Sequence, residues 1–424
     1  MESHNPDPRV ARMWETSPDS EADSSSFELA GHKPESQSEK IVVLGSGYAG
    51  TGAVKQLEHE LDGKAEITWI SDVDHHLVLH ESHRCIRNPD IQDKITFSCE
   101  ELKSESTRFI NARVENLDQD ERTIYLDDGS TVDYDYVLVA FGSKTAFFGI
   151  EGLKEHSLTL KNLEDALEIH EAIIQAATEA TREDPAQVVI GGAGLSGIQS
   201  AGEIAELRDE RDAPIEIYLV EGLDNVFPNN DPDVQAKLAK LLQEKSVNIM
   251  AGEFIGEVDE DAVYIGDDTE LKYDVLLWTG GITGQTCTEN ISIDKDERSN
   301  RLNTEATFQT SDNRVFAVGD AALVDQPGQE EPAPPTAQAA WQAAKVAGAN
   351  LTRTIHNQSL KTWTYTDNGT VISIGDDAVA HGVKYAPVKT FEGTFAEYLK
   401  KAIAARWLFK ISGPASVANA WSSM

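Results

Sequence analysis

Three cysteines in 424 residues, no run of eighteen apolar residues and a shortage of bases set this sequence apart. Cys85, Cys99 and Cys287 include no CxxC pair, which excludes a disulfide framework and a thiolate zinc site. With no long apolar run, no segment is expected to cross a bilayer as a helix. Lys and Arg number 36 against 73 Asp and Glu, for a net charge of −37. Such a surface repels a phosphate backbone, so nucleic acid is excluded as a partner. The acids are spread along the chain, as in DEDAVYIGDDTE, and not gathered in one tail. That is the pattern of a cytoplasmic protein kept soluble in concentrated salt by hydrated carboxylates. The first 38 residues are polar and acidic with no apolar h-region. They read as a disordered leader, not a signal peptide.

What the sequence does have is one glycine turn written twice. IVVLGSGYAG places Gly45, Gly47 and Gly50 between an apolar run and a stretch of helical spacing. VVIGGAGLSG places Gly192, Gly194 and Gly197 in the same context. A strand, a tight turn and a helix N-terminus let the backbone approach a pyrophosphate and favour its charge. Two such units imply two bound dinucleotides. The strand after the second turn, IEIYLV, ends at Glu221. A carboxylate there accepts from an adenosine ribose 2′-OH and repels a 2′-phosphate. No Lys or Arg follows in GLDNVFPNN, so NADH is expected over NADPH. In the first unit EITWI is followed by Ser71, and the acid comes one place late, at Asp72.

YDYVLVAFGS and YDVLLWTGG each set an apolar strand before a glycine turn, at Gly142 and Gly280, and RVFAVGDAA ends a further strand at Gly319-Asp320. In this order of motifs the chain resembles the two-dinucleotide-binding-domain flavoprotein reductases, over roughly residues 40–350. The resemblance implies an α/β fold of two Rossmann-like, glutathione-reductase-like domains, with FAD in the first and the pyridine nucleotide in the second. The FAD domain would be split, 39–155 and 285–360, around an NADH domain at 156–284, with a C-terminal domain over 361–424. By the same resemblance Asp320 bonds the ribityl or pyrophosphate region of FAD.

In PPTAQAAWQAAKVAGANL, Thr336 follows two prolines as a helix cap, and Gln338 and Gln342 stand one turn apart on one face. The segment from Ala337 to Gln342 is similar to the AQxAxQ segment of type II NADH dehydrogenases. By that resemblance the helix start, with Ala337 and Gln338, lies beside the isoalloxazine, and Gln338 and Gln342 orient a quinone. The implied enzyme is a FAD-dependent NADH:quinone oxidoreductase that pumps no protons. Two other readings stay open. One is a sulfide:quinone oxidoreductase, which needs cysteines near the flavin. The other is a reductase of a ferredoxin-type protein docked on the acidic face. The first flavin-domain helix carries no cysteine pair, and all three cysteines are expected to be non-catalytic. Type II enzymes often carry Glu two places after the third glycine of the second turn; here Gln199 stands there, and it cannot relay a proton by changing charge. DHHLVLHESHRC sets His76, His80 and His83 at helical spacing. Nothing completes a metal-ligand pattern, so no metal is expected and the imidazoles should face the flavin or the surface.

Near the C-terminus, KYAPVKTFEGTFAEYLKKAIAARWLFK is locally basic. Phe395, Tyr398, Leu399, Ala402, Ile403 and Trp407 recur as one apolar helical stripe, with Lys400, Lys401 and Lys410 off it. A basic amphipathic helix with aromatics is the pattern of an interfacial anchor, and type II NADH dehydrogenases end in a comparable segment. The expected location is peripheral, on the inner face of the cell membrane. A cover over the flavin domain and a homodimer contact are the other uses of such a helix.

Overall fold

A computed structural model describes residues 38–421 apart from 385 and 387; the acidic leader expected before them lies, but for Ser38, outside the described residues. The first unit runs β1 (Lys40–Leu44), α1 (Tyr48–Leu61), β2 (Glu66–Ser71), β3 (Thr107–Asn111) and β4 (Tyr136–Val139). The second repeats the plan with β5 (Ala186–Gly191), α2 (Leu195–Arg211), β6 (Ile215–Glu221), β7 (Val247–Ala251) and β8 (Val275–Trp278). Both sheets are parallel, the second in the order β7-β6-β5-β8. The chain then returns, and β9 (Val315–Ala317) pairs with β4 to complete the first sheet as β9-β4-β1-β2-β3. Parallel strands covered on both faces need continuous apolar runs. Ile41, Val43 and Leu44 of β1 and Val188, Val189 and Ile190 of β5 are accordingly buried.

A long helix, α3 (Ala337–Ile355), packs along α1. Small residues set how close they come: a Cβ on Gly52 would lie 2.7 Å from that of Ala344. The chain ends in an antiparallel sheet of β10 (Thr370–Ile374), β11 (Asp377–His381) and β12 (Thr390–Glu392), then α4 (Thr394–Ser412). Trp407 of α4 is fully buried, with ring centroids 5.0 Å from Tyr48 and from Trp341. Replacing a tryptophan so placed by alanine costs about 3–5 kcal/mol.

Two sequence expectations change here. The stripe on α4 is divided, because apolar residues stand on both sides of the helix. Trp407 turns inward with Ala396, Ala404, Leu408 and Ile411, whereas Phe395, Tyr398, Ile403 and Phe409 face out. Lys400, expected outside, is only 8% exposed; buried acids give it partners. The histidines do not share a helix either. His75–Leu77 is a strand paired with Thr96–Ser98, Leu79–Glu81 is a single 3₁₀ turn, and Arg84–Arg87 is one helical turn. His76 and His83 are buried and His80 is half-buried.

Candidate active site

Both glycine turns adopt one geometry. Gly45 and Gly192 have φ of +105° and +95°, the left-handed region that glycine enters freely. A Cβ on Gly50 or Gly197 would overlap the carbonyl oxygen of Gly45 or Gly192. Strand and helix therefore close on each other only with glycine at those two places. Gly47 and Gly194 are different, since nothing stands within 4 Å of a Cβ built on either. Each is the N-cap of its helix; no side chain caps the helix and no acid lies in its first turn. The N–H groups at the positive ends of α1 and α2 thus face space that no side chain fills. A pyrophosphate fits such a cradle, and the residues present fit one dinucleotide at each turn.

The strand ends beside the turns differ. Glu221 turns its carboxylate to the second turn, accepting from Ala193 N–H at 2.8 Å and Leu223 N–H at 3.0 Å. In the first unit Gly45 N–H donates to the Ile70 carbonyl as Gly192 N–H does to that of Val220. Ser71, not Asp72, is therefore the counterpart of Glu221. Ser71 is buried with its Oγ 2.9 Å from that of Ser46, and Asp72 stands exposed beside it, 3.8 Å from Arg113 Nε. Gly280 lies against the indole of Trp278, and a Cβ on Gly192 would come 3.0 Å from the Gly280 nitrogen.

Gly319 joins α1 to α3: a Cβ on it would stand 3.0 Å from Ala49 Cβ and 3.8 Å from Ala340 Cβ. The next residue, Asp320, accepts from Ser143 Oγ at 3.4 Å, directly after Gly142. Lys161 Nζ donates to the same hydroxyl at 3.5 Å. Buried Arg301 fixes the turn through the carbonyls of Asp320, at 2.8 Å, and Ala322, at 2.6 Å. Burial holds the Lys161 ammonium below its usual range, against the pull of Asp320 and Asp165. Lys161 and Arg301 escape a sequence reading because each is a lone polar residue with no motif around it, and Ser143 because it only trails the glycine turn at Gly142.

At the start of α3, Thr336 Oγ1 accepts from Ala339 N–H at 3.1 Å, and Ala337 opens the helix. Gln338 and Gln342 share a face, with Gln342 Nε2 3.3 Å from Gln338 Oε1. Their remaining bonds go to one loop. Gln338 accepts from Asn368 N–H at 2.8 Å and donates to the Gly369 carbonyl at 3.2 Å. Gln342 donates to the Thr366 carbonyl at 2.8 Å and accepts from Thr366 N–H at 3.2 Å.

Where α2, α4, β10 and the histidine segment meet, the chain buries a polar cluster that its sequence does not announce. His83 Nε2 lies 3.1 Å from Ser373 Oγ, 3.2 Å from Lys400 Nζ and 3.3 Å from Gln199 Nε2. Glu203, one turn beyond Gln199, is 4.0 Å from the same nitrogen. Lys400 Nζ also bonds Ser373 and stands 3.7 Å from Glu81 Oε1. Burial raises the Glu203 carboxyl to about 7, against the pull of Lys400 and Arg84. Burial likewise lowers Lys400, although Glu81 and Glu203 oppose it. Burial works against ionised Glu81, but Lys400, His80 and Arg84 outweigh it and hold that carboxyl low. His83 is kept neutral by burial and by Lys400. Next to this, His80 Nδ1 bonds Tyr48 OH, while His80 Nε2 and Glu81 Oε1 have no hydrogen-bond partner. His76 donates through Nδ1 to the Ser46 carbonyl at 2.7 Å and accepts from Trp407 Nε1 at 2.8 Å. Burial lowers it to about 4, so it is a neutral strut between the first glycine turn and α4.

The cysteines form no disulfide. Burial raises Cys85 and Cys99 to about 12 and Cys287 to about 11. Each is a thiol at neutral pH and a poor nucleophile.

The chain resembles known proteins along most of its length. It is 27% identical to a type II NADH:quinone oxidoreductase of Staphylococcus epidermidis over 392 residues, 88% of this chain and 96% of that one. A type II NADH:quinone oxidoreductase of Staphylococcus aureus is 26% identical over 391 residues, with the same coverage. Among solved structures, NDH2 from Plasmodium falciparum in complex with NADH superposes with a TM-score of 0.80 at 17% identity, covering 91% of this chain and 98% of that one. The sulfide:quinone oxidoreductase of Aquifex aeolicus gives 0.74 at 20% identity, over 88% and 92%. Pyridine nucleotide-disulphide oxidoreductase is the family whose model matches residues 39–344, well over half of the sequence, and the chain belongs to that family.

Proposed function

We propose that this protein oxidises NADH and passes two electrons through FAD to a quinone, as a type II NADH:quinone oxidoreductase. The observation that carries the reading is the pair of glycine turns of one geometry, the second facing the carboxylate of Glu221. The names of the relatives similar over nearly their whole length support it. FAD, when bound, supplies the chemistry of accepting a hydride and releasing an electron pair.

The residues divide the remaining work. Gly45, Gly47 and Gly50 admit the FAD pyrophosphate to the start of α1. At the strand end Ser71 takes the place that Glu221 has in the second unit, with Asp72 exposed one residue beyond it as the acid on the adenosine-ribose side, and Asp320, with Gly319 and Gly142, borders the ribityl chain. Gly192, Gly194, Gly197 and Gly280 admit NADH, and Glu221 accepts from its ribose. Gln338 and Gln342 act through their grip on the 366–369 loop, which ties that loop to the start of α3, where a quinone is oriented. NADH, one proton and a quinone give NAD⁺ and a quinol, so a proton must come from solution. The Glu203 carboxyl, half-ionised near neutrality, holds a proton inside the fold.

No helix among the described residues is long and apolar enough to cross a membrane. The outer face of α4 presents Phe395, Tyr398, Ile403 and Phe409, with Arg406 and Lys410 set against Trp341. A helix apolar on both sides has one side in the protein core and the other suited to an apolar medium. This face docks the protein on the inner surface of the cell membrane, its bases meeting anionic headgroups at about 1 kcal/mol each. Pairing of two copies through the same face is the competing use. The acidic remainder suits a salt-rich cytoplasm.

Sulfide:quinone chemistry is disfavoured because burial raises all three cysteine thiols, which makes each a poor nucleophile. Adding NADH and then a short-chain quinone anaerobically tests the reading. NADH should bleach the flavin and quinone restore it; bleaching by sulfide alone would move the protein to the other branch.

A further inference from the structure

We propose that Phe254 is the platform on which the adenine of NADH stacks, an inference that rests on the adenosine standing at Glu221. Phe254 follows the end of β7, which lies next to β6 in the second sheet. In a Rossmann sheet the adenosine half lies across the carboxyl ends of these strands. The two ends are tied together: Gly252 N–H donates to the carbonyls of Glu221 and Leu223, each at 3.0 Å. The Phe254 ring packs against Gly222, where a Cβ would overlap its Cδ1 and Cε1. Glycine directly after Glu221 is what lets the ring lie there. The ring is nevertheless 68% exposed, and Leu223 beside it is 41% exposed.

A phenyl ring seated on glycine backbone and left largely in water packs little of its own surface. Its position fits another purpose. The ring stands one residue from the carboxylate that takes the ribose hydroxyl, and the adenine is joined to that ribose by a single bond. The exposed part of the ring is the surface a purine covers. A base on an aromatic ring gains enough to shift affinity about tenfold. The contact is indifferent to a 2′-phosphate, so Phe254 sets affinity while Glu221 chooses between NADH and NADPH.

Steady-state kinetics with NADH and with reduced nicotinamide mononucleotide, which has no adenosine, separate this role from a structural one. Phe254→Ala should raise KM for NADH about tenfold and leave kcat and the KM for the mononucleotide unchanged. Phe254→Tyr should restore the wild-type KM. Equal rises in KM for both donors would overturn the platform and make Phe254 a packing residue. The Glu221→Ala variant, measured alongside, separates the two layers of the argument. An unchanged NADH KM in Phe254→Ala but a raised one in Glu221→Ala overturns the platform alone. An unchanged KM in both overturns the placement of the adenosine, and the platform with it.

Discussion

Glu203→Gln should stabilise this protein, and by more as the pH rises. In the unfolded chain a glutamate titrates near 4.5; in the fold burial raises Glu203 to about 7. Between those values the folded carboxyl keeps a proton that the unfolded one has lost. The unfolded state then binds fewer protons, so stability falls as pH climbs through the window and levels off above about 7. Over that interval the ionised carboxylate costs the fold about 3 kcal/mol. The amide of glutamine has nearly the same shape and never ionises. Near pH 4.5 the variant and the parent should melt alike. Above pH 7 the variant should gain roughly 3 kcal/mol, a shift of several degrees in Tm for a chain of this size. Melting of the FAD-loaded protein, followed by flavin fluorescence from pH 4.5 to 8 in constant salt, measures both ends. A difference in Tm that stays flat across the range, or a variant less stable at pH 8, would refute the reasoning. The second outcome would mean that Lys400 and Arg84 draw more from an ionised Glu203 than burial takes away.

Three further outcomes follow from other parts of the molecule. Glu221→Ala should narrow the preference for NADH over NADPH by at least about tenfold in kcat/KM, since a carboxylate facing a phosphate is removed; an unchanged ratio places the ribose elsewhere. Replacing Phe395, Tyr398 and Phe409 together with serine should release the protein from anionic vesicles in a flotation assay, while NADH still reduces the flavin at the parent rate. Retained flotation assigns membrane binding to another surface. The melting temperature should rise between low and molar KCl, because a charge of −37 repels itself less when the screening length shrinks to about 3 Å; a flat response means the acids are already paired well enough.

The two glycine turns are legible in the sequence because the backbone leaves no choice. Left-handed φ at Gly45 and Gly192, and the overlap awaiting any Cβ at Gly50 and Gly197, write glycine at fixed spacing. Glu221 is legible for a related reason, as the last residue of an apolar strand. Asp72 shows the limit of that rule: the sequence already sets the acid one place late, and the pairing register puts Ser71 in the equivalent place. The buried cluster is invisible to any window, drawing Glu81, His83, Gln199, Glu203, Ser373 and Lys400 from four segments of the chain. Lys400 illustrates why. Its neighbours read as a solvated basic face, and only the fold supplies the acids that draw it inside. On α4 the period of the apolar residues is plain, but a period does not say which side the protein covers. Trp407 went in because His76, Tyr48 and Trp341 form a socket for it. Phe254 carries no motif and is recognised only by lying on Gly222.

The most direct measurement of the central claim is anaerobic double-mixing of the FAD-loaded protein, followed at the flavin absorbance. NADH should bleach the flavin with a two-electron stoichiometry, and a short-chain quinone should then restore it completely with no other protein present. A flavin that NADH leaves oxidised, or a reduced flavin that quinone reoxidises only after a ferredoxin-type carrier is added, would contradict the account.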